Sequence, residues 1–208
     1  AYEIMPSRVG SEMCIRDRSR LCVETMVQSL EKSAHKTPVS LFEEAVTAAN
    51  KAVFEESASH VEYEGMGTTV VACTLQENTL YIANIGDSRL YLIRDGIEQI
   101  TDDHSLVEEM VKQGNITESE ARIHPQKNII TRALGINEEV QADFFEIDVE
   151  QGDVIMLCSD GLSNMIEDED MEYIVKNSDT LQTAAESLVA RANENGGNDN
   201  ITVVLAEV

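Results

Sequence analysis

The sequence predicts an α+β domain built on antiparallel sheets. Three observations carry this expectation. Short runs of period-two hydropathy follow one another with only turn residues between them. Asp95-Gly96 marks a tight hairpin, and helical stretches come in pairs around the strands instead of alternating with them.

From Ser19 onward, Leu21, Met26, Val27 and Leu30 recur mostly at helical spacing, which predicts an amphipathic helix ending in a polar stretch before Pro38. A second helix follows, with Ser40 as N-cap, Glu43 three residues on, and Phe42, Ala45, Val46, Ala49 and Val53 on one face. Both are acidic outside, as a layer covering a sheet would be. The period then changes to two in residues 68–75, 79–85 and 89–93, and residues 97–101 return after the Asp95-Gly96 turn. Residues 105–123 are helical again, with Gly114-Asn115 breaking the run, and residues 125–135 form an irregular excursion. Strands resume at 140–147 and 154–158, helices at 168–176 and 180–195, and residues 201–208 close as a strand.

A length of 208 residues suits one domain with a substantial core, and 42% apolar composition excludes general disorder. The formal net charge of -24 has the wrong sign for nucleic acid or an anionic membrane as partner. Surface solvation accounts for most of that acidic excess. The four cysteines form no Cys-x-x-Cys pair. Cys73 and Cys158 lie in apolar runs and are expected to be buried thiols in a reducing, cytoplasmic setting. No apolar run approaches the roughly 18 residues of a membrane span.

Residues 1–18, AYEIMPSRVGSEMCIRDR, fit neither period. Four arginines stand against three acids in residues 1–20, whereas 11 basic and 36 acidic residues follow. A transit peptide would avoid acids. The expectation is a non-native leader, with the domain proper occupying residues 19–208.

Three segments place an Asp at a strand end beside Gly or Asn. Ser159-Asp160-Gly161-Leu162 follows an apolar strand, Gly196-Gly197-Asn198-Asp199-Asn200 precedes the last strand, and Thr101-Asp102-Asp103-His104 ends the hairpin. A strand that delivers Asp to a glycine turn puts a carboxylate on a rigid edge. Two carboxylates about 4 Å apart repel by roughly 4 kcal/mol at an effective dielectric of 20, so a cluster of them calls for a cation. With few Lys or Arg nearby in sequence, Mg²⁺ or Mn²⁺ is the natural one. Singly, such motifs are more often plain turns. No Gly-x-Ser-x-Gly elbow surrounds Ser159. His35, His60, His104 and His124 show no metal-ligand spacing: His104 reads as a first-turn helix residue, His35 and His60 as solvated helix ends.

Taken in order, Gly65-Met66-Gly67-Thr68-Thr69, Ala83-Asn84-Ile85-Gly86-Asp87-Ser88-Arg89, residues 101–105, residues 129–135, residues 153–162 and residues 196–204 resemble the type-2C family of metal-dependent serine/threonine protein phosphatases. Asp103-His104-Ser105-Leu106-Val107 and Asn128-Ile129-Ile130-Thr131-Arg132-Ala133-Leu134-Gly135 look like its bacterial branch. The resemblance implies a four-layer α-β-β-α sandwich and a binuclear Mn²⁺/Mg²⁺ centre. By motif match Asp160 and Asp199 would be the catalytic metal ligands, and Asp103 with Asp160 would hold a weaker third ion. Asp87 would be structural, holding turn amides. Residues 105–139 would contain the substrate flap, where Arg132 would either touch substrate or make a structural ion pair. Water activated by two metals would attack phosphoserine or phosphothreonine in line, on phosphoproteins made by a Ser/Thr kinase.

The family's early Asp-Gly-Met-Gly-Gly-His segment, whose Asp bridges the core metals, is not in this sequence. Weak or no activity of this chain is therefore expected, together with exposed sheet edges. The rival readings are a non-catalytic 2C-like regulatory or binding module and a cation-buffering acidic protein.

Overall fold

A computed structural model describes residues 2–3, 12–34, 37–59 and 67–208, with backbone alone for 2–3 and 12–15. His35, His60, Gly65, Met66 and the Cys14 side chain lie outside the described residues.

Two four-stranded antiparallel sheets form the centre. The first has the order β1 (Tyr2–Glu3), β2 (Thr69–Gln76), β3 (Thr79–Ile85), β6 (Asp143–Asp148). The second has the order β5 (Ile97–Gln99), β4 (Arg89–Ile93), β7 (Val154–Cys158), β8 (Val203–Glu207). Side-chain alternation divides the interior into three apolar layers. Val70, Ala83 and Ile85 point out to α1 (Glu12–Lys32) and α2 (Pro38–Ser59). Tyr91, Ile93, Met156 and Cys158 point out to α6 (Asp168–Lys176) and α7 (Leu181–Glu194). Between the sheets lie Val71, Leu80, Ile82, Leu90, Leu92, Ile155 and Leu157. The result is the four-layer sandwich, with helices outside and sheets within. No described helix is long and apolar enough to cross a membrane.

Phe42, Ala45, Val46, Ala49 and Val53 are all buried on α2, as their spacing requires. The helix begins two residues before the expected cap. Pro38 takes the first helical position, where its missing N–H costs nothing, and the Thr37 carbonyl accepts Leu41 N–H at 3.0 Å, so Ser40 lies inside the helix. The first helix also starts earlier than its apolar period, at Glu12. Residues 12–18 extend it toward the N-terminus, and Arg18, only 3% exposed, donates from Nη1 to Gly67 O at 3.0 Å. The residue-18 boundary thus falls within α1. Cys158 is buried as expected, but Cys73 is half-buried, since β2 rises toward an exposed end at Leu75.

Two shorter helices, α3 (Leu106–Lys112) and α4 (Glu118–Ile123), occupy the flap region and break at Gly114-Asn115. Ser105 caps α3 by accepting Glu108 N–H at 3.2 Å. His104 therefore precedes the cap instead of standing in the first turn, and it is buried at 6% exposure.

Candidate functional site

Four loops meet at one end of the sheets: the Gly86-Asp87-Ser88 turn, residues 101–105, residues 159–161 and residues 196–200. Asp87, Arg89, Asp103, Glu108, Asp160 and Asp168 line a groove of about 660 Å³ there, whose far wall comes from α3 and α4.

Asp160 opens a one-turn helix, α5 (Asp160–Ser163), directly after β7. Ser159 fixes that junction: its N–H reaches Thr202 O at 3.1 Å, and its hydroxyl accepts Thr202 N–H at 2.9 Å. Gly161 then packs onto the Asp199-Asn200 backbone so closely that a Cβ would stand 2.1 Å from Asn200 O. This contact brings the two strand-end aspartates together. Burial, with the repulsion of Asp199 next, pushes the Asp160 carboxyl up to about 6. Asn164 Nδ2 donates to its Oδ2 at 3.3 Å, and the Gly161 backbone N–H also donates to this carboxyl.

Asp87 is pushed up to about 7, by burial first and then by the charges of Asp160 and Asp103. Its carboxyl accepts its own backbone amide, as a turn role requires, while it also lines the acidic groove. Asp103 has a partner. Arg89 Nε lies 2.9 and 3.2 Å from its two oxygens, and Nη2 lies 2.8 Å from Oδ2. Arg89 Nη1 continues to Tyr91 Oη at 2.9 Å, and Tyr91 Oη to Asp168 at 3.4 Å. This two-pronged pair is the strong form of a charge-assisted contact.

Arg132 does not enter the groove. Its Nη1 donates to Asp143 Oδ1 at 2.6 Å and to Gln141 O at 3.0 Å, and it lines a separate cavity of about 330 Å³ with Ile130, Ile136 and Val140. Burial opposes ionisation of Asp143, but hydrogen bonds from Arg132 and His104 outweigh it and hold the carboxyl below its usual range. Burial lowers the His104 imidazole below its ordinary value.

Asp87, Asp103 and Asp160 thus share one groove, Asp199 stands behind Asp160, and Arg132 stands apart. Arg89, Tyr91, Asp168 and Asn164 complete the surroundings. Arg89 lies within a quoted motif, but nothing in its spacing reveals its partner 14 residues away. The donor set is all oxygen, and burial and repulsion at Asp87 and Asp160 outweigh the relief from Arg89 and backbone amides, which suits a hard divalent cation. Among the described residues, no three His, Cys, Asp or Glu side chains close around one point. The set fits such an ion as an open, carboxylate-lined site, not as a finished cage.

The comparisons with known proteins show the family. The family model described as protein phosphatase 2C matches residues 6–206. A serine/threonine phosphatase, stp, of Listeria monocytogenes serotype 4b is 40% identical over 204 residues, covering 96% of this chain and 78% of the relative. Protein phosphatase PhpP of Streptococcus pneumoniae is 38% identical over 201 residues, covering 96% of this chain and 79% of the relative. The solved Mycobacterium tuberculosis phosphatase PstP/Ppp superposes with a TM-score of 0.88 at 35% identity, over 96% of this chain and 84% of that one. A PstP catalytic domain holding two manganese ions superposes at 0.84 with 33% identity, over 95% and 83%. The chain belongs to the protein phosphatase 2C family.

Proposed function

We propose that the protein is a Mn²⁺- or Mg²⁺-dependent phosphatase acting on phosphoserine and phosphothreonine in proteins, and so opposing a Ser/Thr kinase. The observation that carries the reading is the contact between the Gly161 and Asn200 backbones, which brings the Asp160 and Asp199 loops together so that the charge of Asp199 helps to raise the Asp160 carboxyl. Asp160 and Asp199 would hold one cation, and Asp103 with Asp160 a further, weaker one. A bound divalent cation supplies activated water at neutral pH and offsets phosphoryl charge. Arg89 orients Asp103, and Asn164 orients Asp160. The groove wall from α3 and α4 receives the peptide around the phosphorylated residue. Arg132, engaged with Asp143, acts on the flap's structure and not on substrate. Cys22, Cys73 and Cys158 are free thiols, which supports a reducing cytoplasmic setting.

Residues 1–208 alone carry no Asp-Gly-Met-Gly-Gly-His segment, and we infer that alone they hydrolyse weakly or not at all. The test is phosphate release from phosphothreonine peptides with Mn²⁺. A hybrid carrying the N-terminal segment of the Listeria relative in place of residues 1–18 should be active, and Asp160→Asn should abolish that activity. A folded but inert hybrid would overturn the catalytic assignment. Robust release by residues 1–208, lost in Asp160→Asn, would overturn the inference about the chain alone.

A further inference from the structure

Asp87 and Asp103 reach the groove from different sheets, for β3 leads to one and β5 to the other. His104 ties the two together through both its backbone and its ring. His104, next to Asp103, donates its backbone N–H to Gly86 O at 2.9 Å, and its ring Nδ1 accepts Gly86 N–H at 3.0 Å. Both backbone polar groups of Gly86 therefore engage His104, with the ring in the role of a backbone carbonyl, while Asn84 Nδ2 adds donations to Gly86 O at 3.4 Å and Asp102 O at 2.9 Å. Gly86 has no side chain with which to anchor the turn. At φ +106° a Cβ there would stand 2.3 Å from Thr69 Cγ2.

A ring nitrogen that accepts carries no proton, so the proton sits on Nε2. Nε2 lies 3.1 Å from Asp143 Oδ2 and 3.2 Å from Arg132 Nη1; with Nδ1 accepting, its proton goes to Asp143, and Arg132 Nη1 donates to Asp143 Oδ1 and Gln141 O. The flap is also joined directly, because Thr131 N–H donates to His104 O at 2.8 Å.

We infer that His104 is a positioning residue: through Nδ1 it fixes the turn of Asp87 against Asp103, and through Nε2–H it joins that arrangement to the flap. This deepens the proposed function and rests on the reading of the groove as a cation site. Two variants separate the two ring contacts. Asn reproduces an acceptor at the Nδ1 position and abandons Asp143, while Gln reaches toward Asp143 and abandons Gly86.

The experiment is amide hydrogen exchange on the full chain, read by NMR at Gly86, with Mn²⁺ affinity measured by calorimetry on the same samples. His104→Asn should keep Gly86 protected. His104→Gln should speed its exchange about tenfold or more, as loss of a buried hydrogen bond requires. Mn²⁺ affinity should fall in the same order. Equal protection in all three proteins, or equal loss in both variants, would overturn the inference. Independently of any variant, ¹⁵N shifts placing the ring proton on Nδ1 would also overturn it. If the exchange pattern holds while no protein binds Mn²⁺, the positioning role stands and the cation reading falls.

Discussion

Gly161 lies against the backbone oxygen of Asn200 with room for a hydrogen and nothing more: a Cβ would come within 2.1 Å of that oxygen and 2.9 Å of its carbonyl carbon. Gly161 keeps an ordinary helical backbone within α5, so the position demands glycine for approach and not for conformation. The contact holds the Asp160 and Asp199 loops together. Gly161→Ala should therefore part the two carboxylates. Mn²⁺ binding, measured by calorimetry, should weaken about tenfold or more, while the melting temperature falls by about 2–4 °C per kcal/mol of local repacking. Unchanged Mn²⁺ affinity in a folded variant would show that the pair does not share an ion.

The raised carboxyls make stability depend on pH in a definite sense. Asp87 titrates near about 7 and Asp160 near about 6 in the folded protein, against an ordinary value of 3.8. Between the ordinary and folded values the native state holds more protons than the unfolded chain, so their contribution weakens as pH rises from about 4 to about 7. Asp87→Asn should melt above the wild type at pH 8, with the gap narrowing as pH falls and closing below the ordinary value of 3.8. Saturating Mn²⁺ should also close it, by relieving the same repulsion. Asp143 acts in the opposite sense: held below its usual range, it gives stability that is lost on acidification through that range. Scanning calorimetry from about pH 8 down to about pH 3 checks both signs.

Asn50, 2% exposed on α2, holds the end of the flap excursion. Its Nδ2 donates to Asn137 O and Glu138 O at 3.0 and 2.9 Å, and its Oδ1 accepts Gly135 N–H at 2.7 Å. Asn50→Leu leaves that donor and two acceptors without partners. The expected loss is about 3 kcal/mol or more in denaturant unfolding. A loss under about 1 kcal/mol would mean that water replaces the side chain at little cost.

The strands were legible because their alternation is real on both faces. Residues 79–85, 89–93 and 154–158 were placed to the residue, since each packs one set of side chains between the sheets and the other beneath a helix layer. Residues 97–101 were read too long. Thr101 leaves the ladder and accepts Leu90 N–H with its hydroxyl at 3.0 Å, an exchange that hydropathy does not record. Asp160 and Asp199 stood out as acids at strand ends beside glycine or asparagine. His104 did not stand out, because its partners Gly86 and Asp143 lie 18 and 39 residues away and carry no shared pattern. The start of α1 was missed because residues 12–18 bring no apolar period to the helix they extend.

Asp87 sits in the turn where the chain leaves one sheet for the other, whereas Asp103, Asp160 and Asp199 all hang from strand ends of the second sheet. The layer between the sheets is aliphatic, with Val71, Leu80, Ile82, Leu90, Ile155 and Leu157 meeting through contacts that have no preferred direction. A small slide of one sheet over the other would leave three of the aspartates in mutual register and shift the fourth. The spacing of charge in the groove is thus a gauge of how the two halves of the sandwich are seated. A substitution deep in the aliphatic layer, far from any carboxylate, would tune cation affinity by changing that seating.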